Sequence, residues 1–194
     1  MAEVFDYKEI IESLGYVPVS RINKRRSSYA VYKAVSYFQE RNGKREQFIV
    51  KIIGDGNGNL NLWDPRKDLM REVEVLETFR GLDGIPQIVE VYGEDADNGE
   101  MVLVRRYIPG QLVTPKYKIS NTKIQCKAEE IVRTLHDDGF AYLNLVSDNI
   151  ILSGNKPFLI DLGSAVSLNE SEVSVREFSD FVDMDLKDLE DLCD

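Results

Sequence analysis

Cysteine is scarce in this chain of 194 residues, and long apolar runs are missing. The two cysteines, Cys126 and Cys193, lie far apart and in no metal-ligand spacing. Two free thiols in a reducing cytoplasm are therefore expected. No apolar run approaches the roughly 18–20 residues of a membrane helix, so no membrane association is expected. The first stretch, MAEVFDYKEIIESLG, is acidic and amphipathic rather than a secretory leader, which again points to a cytoplasmic location. Positive charge is in deficit too. The net charge is −10, and an acidic chain repels nucleic acid on average. That deficit is concentrated between Glu170 and Asp194, where ten acids face two bases, Arg176 and Lys187. One cluster runs the other way, RINKRR from Arg21 to Arg26, and on charge alone it reads equally as a solvated loop.

What is present describes a folded chain. A composition of 43% hydrophobic and 30% charged residues excludes a disordered one, and the length suffices for one sizeable core or two small lobes. Tyr7, Ile10, Ile11 and Leu14 fall at helical spacing, with Gly15 as a stop. YVPVSRI, YAVYKAVSYF and EQFIVKII read as strands. Asn42-Gly43 between the last two suits a hairpin, because both central residues of such a turn need φ > 0. GDGNGNLN (54–61) is a loop by composition.

A helix is expected from Asp64-Pro65, an N-cap followed by proline at the first helical position. Leu69, Val73, Leu76 and Phe79 (or Arg80, one position on) form its apolar face, and Glu72 lies at the edge of that face. IVEVYGED and EMVLVRRYIPG read as a further strand pair with Asn98-Gly99 in the turn. A second long helix carries a stripe of Ile124, Ala128, Ile131, Val132 and Leu135 and stops at Gly139. Short β runs, NIILS and PFLIDLG, follow around the turn GNK. A polar, serine-rich segment is expected from Ser164 to Ser179, then a terminal helix with Leu186, Leu189 and Leu192 repeating every three residues. The boundary falls near Tyr107-Ile108-Pro109-Gly110, giving a β-rich first part, 1–107, and a more helical second part, 108–194.

Taken in order, these pieces resemble the protein-kinase fold. FIVKII is similar to the strand of the phosphate-binding lysine, which maps to Lys51. REVEVL resembles the helix of its glutamate partner, Glu72. YIPG is similar to the interlobe hinge, which maps to Tyr107. LHDDGFAYLNLVSDNIIL resembles the helix and catalytic loop that end in a metal-binding asparagine, Asn149. FLIDLGSA is similar to the metal-binding DFG segment, giving Asp161-Leu162-Gly163. The resemblance runs from about Gly15 to the end. It implies an α+β, two-lobed fold with a five-stranded antiparallel N-lobe and a short helical C-lobe. It also implies ATP and Mg²⁺ as cofactors, with Lys51 on the α- and β-phosphates, Glu72 orienting it, and Asn149 and Asp161 as hard oxygen ligands.

The chain departs from that family in four places. Where the loop usually reads H-R-D-L-K-x-x-N, Asn144 stands at the catalytic-base aspartate, Leu143 at the arginine and Val146 at the lysine. An amide accepts a hydrogen bond but does not take a proton near neutral pH. The three usual glycines of the phosphate loop fall on Lys24, Arg26 and Tyr29, counting back from Val31. Lys24, Arg25 and Arg26 could meet phosphates with charged side chains instead. Arg105 falls near the gate of the adenine pocket. Finally, no A-P-E follows Asp161, and the chain stops where the family usually continues. A naturally trimmed lobe, like that of the compact kinases of tRNA-modification complexes, a truncation, and a protein partner covering an exposed patch of Leu186, Leu189 and Leu192 on the acidic terminal helix are the three alternatives. Three functions follow: a divergent phosphotransferase on Ser or Thr hydroxyls, a pseudokinase that binds and regulates with its nucleotide structural or absent, or a kinase-like scaffold that binds another anion through Arg25 and Arg26.

Overall fold

The computed structural model describes residues 7–22, 30–41, 44–53, 64–93, 100–114, 118–170 and 172–193. It is α+β, with four helices and a five-stranded antiparallel sheet among the described residues. The chain divides into two compact units, 1–67 with 87–107, and 68–86 with 108–194.

The first unit is built on the sheet. Helix α1 (Lys8–Ser13) ends as expected at Gly15, whose φ of 84° suits a residue without a Cβ. Strands β1 (Tyr16–Arg21), β2 (Ala30–Arg41), β3 (Lys44–Ile53), β4 (Ile88–Tyr92) and β5 (Met101–Arg106) follow. They are ordered β1-β2-β3-β5-β4, every neighbouring pair antiparallel. Successive side chains of a strand point to opposite faces. Phe48, Val50 and Ile52 of β3 therefore share one face, and pack with Ile11, Tyr16, Tyr32 and Val104. The Tyr16 hydroxyl donates to the Glu90 carboxylate at 2.9 Å, tying β1 to β4 across that core. Burial and the same carboxylate push the Tyr92 phenol up to about 12.

The second unit is mostly helical. Helix α2 (Pro65–Thr78) begins in the first unit and lies in the second from Asp68 onward. Its start matches the expectation: the Asp64 carboxylate accepts from the Arg66 N–H at 3.0 Å. Leu69, Val73, Leu76 and Phe79 are buried. The Phe79 ring meets Phe140 edge-on at 5.8 Å. Helix α3 (Thr122–Asp137) is capped by Asn121, and the five residues of its expected stripe are the buried ones. Short strands complete the unit: β6 (Gln111–Leu112), β7 (Phe140–Ala141), β8 (Ile150–Ser153), β9 (Lys156–Leu159) and β10 (Val166–Ser167). They form a β6-β8-β9 sheet and a β7-β10 pair.

Helix α4 (Val175–Asp191) corrects two expectations. The serine-rich segment does not run polar and irregular to Ser179. Ser174 and Glu177 make a reciprocal capping box, and the helix begins at Val175. The terminal leucines are also not an exposed patch. Leu189 is 4% exposed, and Leu186 and Leu192 are half-buried, because α4 packs on α3 and β7. The Asn42-Gly43 and Asn98-Gly99 turns and the 54–61 loop lie outside the described residues. Among the described residues, no helix is long and apolar enough to cross a membrane.

Candidate functional site

Lys51 sits in the middle of β3, flanked in register by Val31 of β2 and Leu103 of β5. Its side chain is 4% exposed, an unusual place for an ammonium group. By alternation it leaves the sheet on the face opposite Val50 and Ile52. Tyr107 directly follows β5. Its N–H donates to the Gln47 carbonyl at 3.1 Å, and the Lys33 ammonium lies 4.0 Å from its ring centre. Val31, Lys51 and Tyr107 thus all belong to the first unit. Arg105 is buried as well, in register with Ile49 and Ile88. Lys24 and Arg26 lie outside the described residues.

The remaining site residues belong to the second unit, Glu72 included, so Lys51 and Glu72 fall in different units. From Ala141 to Val146 the chain alternates buried and exposed side chains without being a strand throughout. Leu143 and Leu145 are 1% and 2% exposed, whereas Tyr142, Asn144 and Val146 face outward. The Leu143 position therefore faces inward, where an arginine would bury a charge. The backbone twists to achieve this: Tyr142 and Asn144 have φ of 57° and 52°. Asparagine tolerates that region better than most residues, while a tyrosine there marks strain.

The loop is held by polar bonds. The Asn144 carbonyl accepts from the Val146 N–H at 2.8 Å and from the Asn149 side-chain amide at 2.9 Å. Asn149 ends a short 3-10 turn, Ser147–Asn149, and is 9% exposed. Its own carbonyl accepts from the Ile160 N–H at 2.8 Å. Asp161 follows, half-buried, with φ of 70°. Asn144, Asn149 and Asp161 are thus brought onto adjoining backbone. With its nitrogen engaged by Asn144, the Asn149 amide has its oxygen left for another partner.

Glu72, 2% exposed, lies on α2. The first turn of that helix presses on the segment after Asp161. A Cβ built on Gly163 would come within 2.7 Å of the Asp68 carbonyl oxygen, so only glycine fits. Arg71 further along α2 pairs with Glu170, whose carboxylate also accepts from the Ser167 N–H at 3.0 Å. These contacts fix α2 against residues 163–170.

Sequence reasoning missed the group that anchors the loop. Asp185 of α4 is 1% exposed and accepts from the Leu143 N–H at 2.8 Å. Its other oxygen lies 2.9 Å from Nε2 of His136, the one histidine of the chain. A signal was available: Asp185 shares the helical face of Phe178 and Leu189, and a carboxylate on an apolar face needs donors. Tyr142 also stacks at a tilt on Phe181 of α4, with ring centres 5.1 Å apart. Among the described residues, no group of three or more His, Cys, Asp or Glu side chains forms a metal cluster. Comparison with protein-family models returns no match for this chain, and comparison with curated proteins returns none either.

Proposed function

We propose that this chain is a divergent protein-kinase-like phosphotransferase that binds a nucleoside triphosphate with Mg²⁺ and acts on Ser or Thr hydroxyls. In this reading the fold is two-lobed, and its C-lobe is short. The observation that supports it most is the second-unit loop. There the Asn149 amide has its nitrogen held by the Asn144 carbonyl, and the Asn149 backbone carbonyl accepts from the N–H of Ile160, the residue before Asp161. An amide oxygen and a carboxylate on adjoining backbone are a donor set that suits Mg²⁺, which takes few protein oxygens and keeps several waters. Bound there, the ion would neutralise charge on the phosphates.

The chain's own residues do the rest. Lys51, fixed in the sheet, supplies a compact positive charge for the α- and β-phosphates. Glu72 is the carboxylate assigned to that lysine. Val31 and Tyr107 contribute apolar surface for the base, and Lys24 and Arg26 supply further cations. Asn144 faces outward and accepts a hydrogen bond from a substrate hydroxyl, orienting it for attack. The proton must leave to solvent or another base. Loss of a general base lowers a rate by about 10²–10⁴, and a loose transition state makes that loss tolerable.

A pseudokinase is the second reading, favoured by the loop itself. The three positions that carry polar groups in the family hold a buried Leu143, an outward amide and an outward Val146.

Thermal shift with ATP and Mg²⁺ tests the site. A ligand at 100 times its Kd stabilises the fold by about 2.7 kcal/mol, and Lys51→Ala and Asp161→Ala should abolish that gain. No shift at millimolar ATP–Mg²⁺ would sink the nucleotide site and the phosphotransferase with it. Transfer of labelled γ-phosphate then separates them. Asn144→Asp should raise turnover by about 10²–10⁴, with its loop bonds intact because they use the Asn144 backbone carbonyl. Retained binding with no turnover in either protein establishes the pseudokinase.

A further inference from the structure

One flank of α4 is apolar and acidic at once. Phe181 and Met184 are three residues apart and therefore neighbours on the helix surface. Met184 is 45% exposed, and Tyr142, whose ring meets Phe181, is 40% exposed. Asp180 and Asp188 stand four residues before and after Met184, on the same flank, and Asp191 follows one turn on. The helix holds seven acids against Arg176 and Lys187. Among the described residues no ion pair joins either base to Asp180, Asp188 or Asp191.

Asp188 feels two of its neighbours. Burial, then Asp185 and Asp191, raise the Asp188 carboxyl above its usual range, and Lys187 only partly offsets them. Such a field attracts cations and repels phosphate backbones and anionic lipid. It also disfavours a second copy of a chain whose net charge is −10. Aromatic and methionine side chains bordered by one sign of charge match a partner with apolar anchors between opposite charges.

We propose that the Tyr142–Phe181–Met184 surface, with Asp180 and Asp188 beside it, docks an extended lysine- and arginine-rich polypeptide segment carrying an apolar side chain. The apolar side chain covers Phe181 and Met184, and the flanking cations meet the two aspartates. Asn144 lies two residues along the chain from Tyr142 and is also exposed, so a docked segment runs close to the loop. The proposal concerns binding and stands whether or not phosphate is transferred.

The probe is a fluorescein-labelled peptide of Arg-Lys pairs separated by single leucines, read by anisotropy on the full chain. Saturable binding that weakens with added NaCl is expected. Replacing its leucines by serine should weaken it about tenfold at unchanged charge. Asp180→Asn combined with Asp188→Asn should also weaken it about tenfold, as should Met184→Ser, with each variant checked by thermal melting. Met184→Ser should not change binding of the serine peptide. Three results would each overturn the assignment: no binding to the folded wild type, equal binding of the leucine and serine peptides, or equal binding by the folded variants. A salt-sensitive dimer of the chain that blocks the peptide, seen by sedimentation, would assign the surface to a second copy instead.

Discussion

Strand β3 and the loop from Ala141 to Asn149 both carry candidate functional polar groups, and they hold them by opposite means. From Phe48 to Ile53 every side chain of the strand is buried, Lys51 among them. Its backbone is fixed by ladders to β2 and β5, and Phe48, Val50 and Ile52 pack into one core on one face. The loop has no such ladder over most of its length. It alternates inward leucines with the outward Tyr142, Asn144 and Val146, and its shape rests on a few hydrogen bonds accepted by the Asp185 carboxylate and by the Asn144 and Asn149 carbonyls. A group in the strand is carried on a backbone paired on both sides. A group in the loop is placed by polar bonds, whose removal leaves buried donors unpaired.

Ile52→Ala, in the strand, should have the largest effect on stability. Ile52 is fully buried, and a large-to-small change in a packed core costs about 2–5 kcal/mol, readable as a fall in the urea midpoint at unchanged slope. Asp185→Ala, in support of the loop, should come next at about 2–4 kcal/mol, because it strands the Leu143 N–H and the His136 ring. It should also speed hydrogen exchange at the Leu143 amide, which Ile52→Ala should not do beyond the global change. If that amide keeps its protection, the inward leucines hold the loop and the contrast fails.

Smaller effects sharpen the comparison at α4, which carries Asp185. Ser174→Ala removes the capping box and should cost about 1 kcal/mol by thermal or chemical melting at neutral pH. Hydrogen bonds from Ser174 hold the Glu177 carboxyl below its usual value. That contribution is present above the unfolded pKa and lost as pH falls through the lower folded one, so the penalty of Ser174→Ala should shrink in acid. Asp188→Asn should do the reverse, raising stability by a few tenths of a kcal/mol at neutral pH. Its carboxyl is raised in the folded state, so the charged form is disfavoured there, and the gain should vanish once acid has protonated Asp188.

Local pattern was legible wherever it repeats. The α3 stripe, the Asp64-Pro65 start of α2 and the five strands of the first unit were all readable from spacing and caps. Gly163 was readable as part of a motif, but its reason, the close approach of the Asp68 carbonyl, was not. Asp185 was hidden among the leucines and acids of the last helix. Its partners, Leu143 and His136, lie more than forty residues away in sequence. The terminal leucines misled for a related reason: a three-residue repeat marks a face but does not say what covers it.

By itself the sequence determined where helices and strands form and which face of each is apolar, because period, caps and turns act over a few residues. It also placed Lys51 on a strand and Asn149 before a second one. Only the tertiary structure decided that Lys51 and Glu72 are buried, that Asn144 faces outward on a left-handed backbone, and that one aspartate of α4 secures the loop. Burial and polar pairing are settled between segments distant in the chain, and no local pattern carries that information.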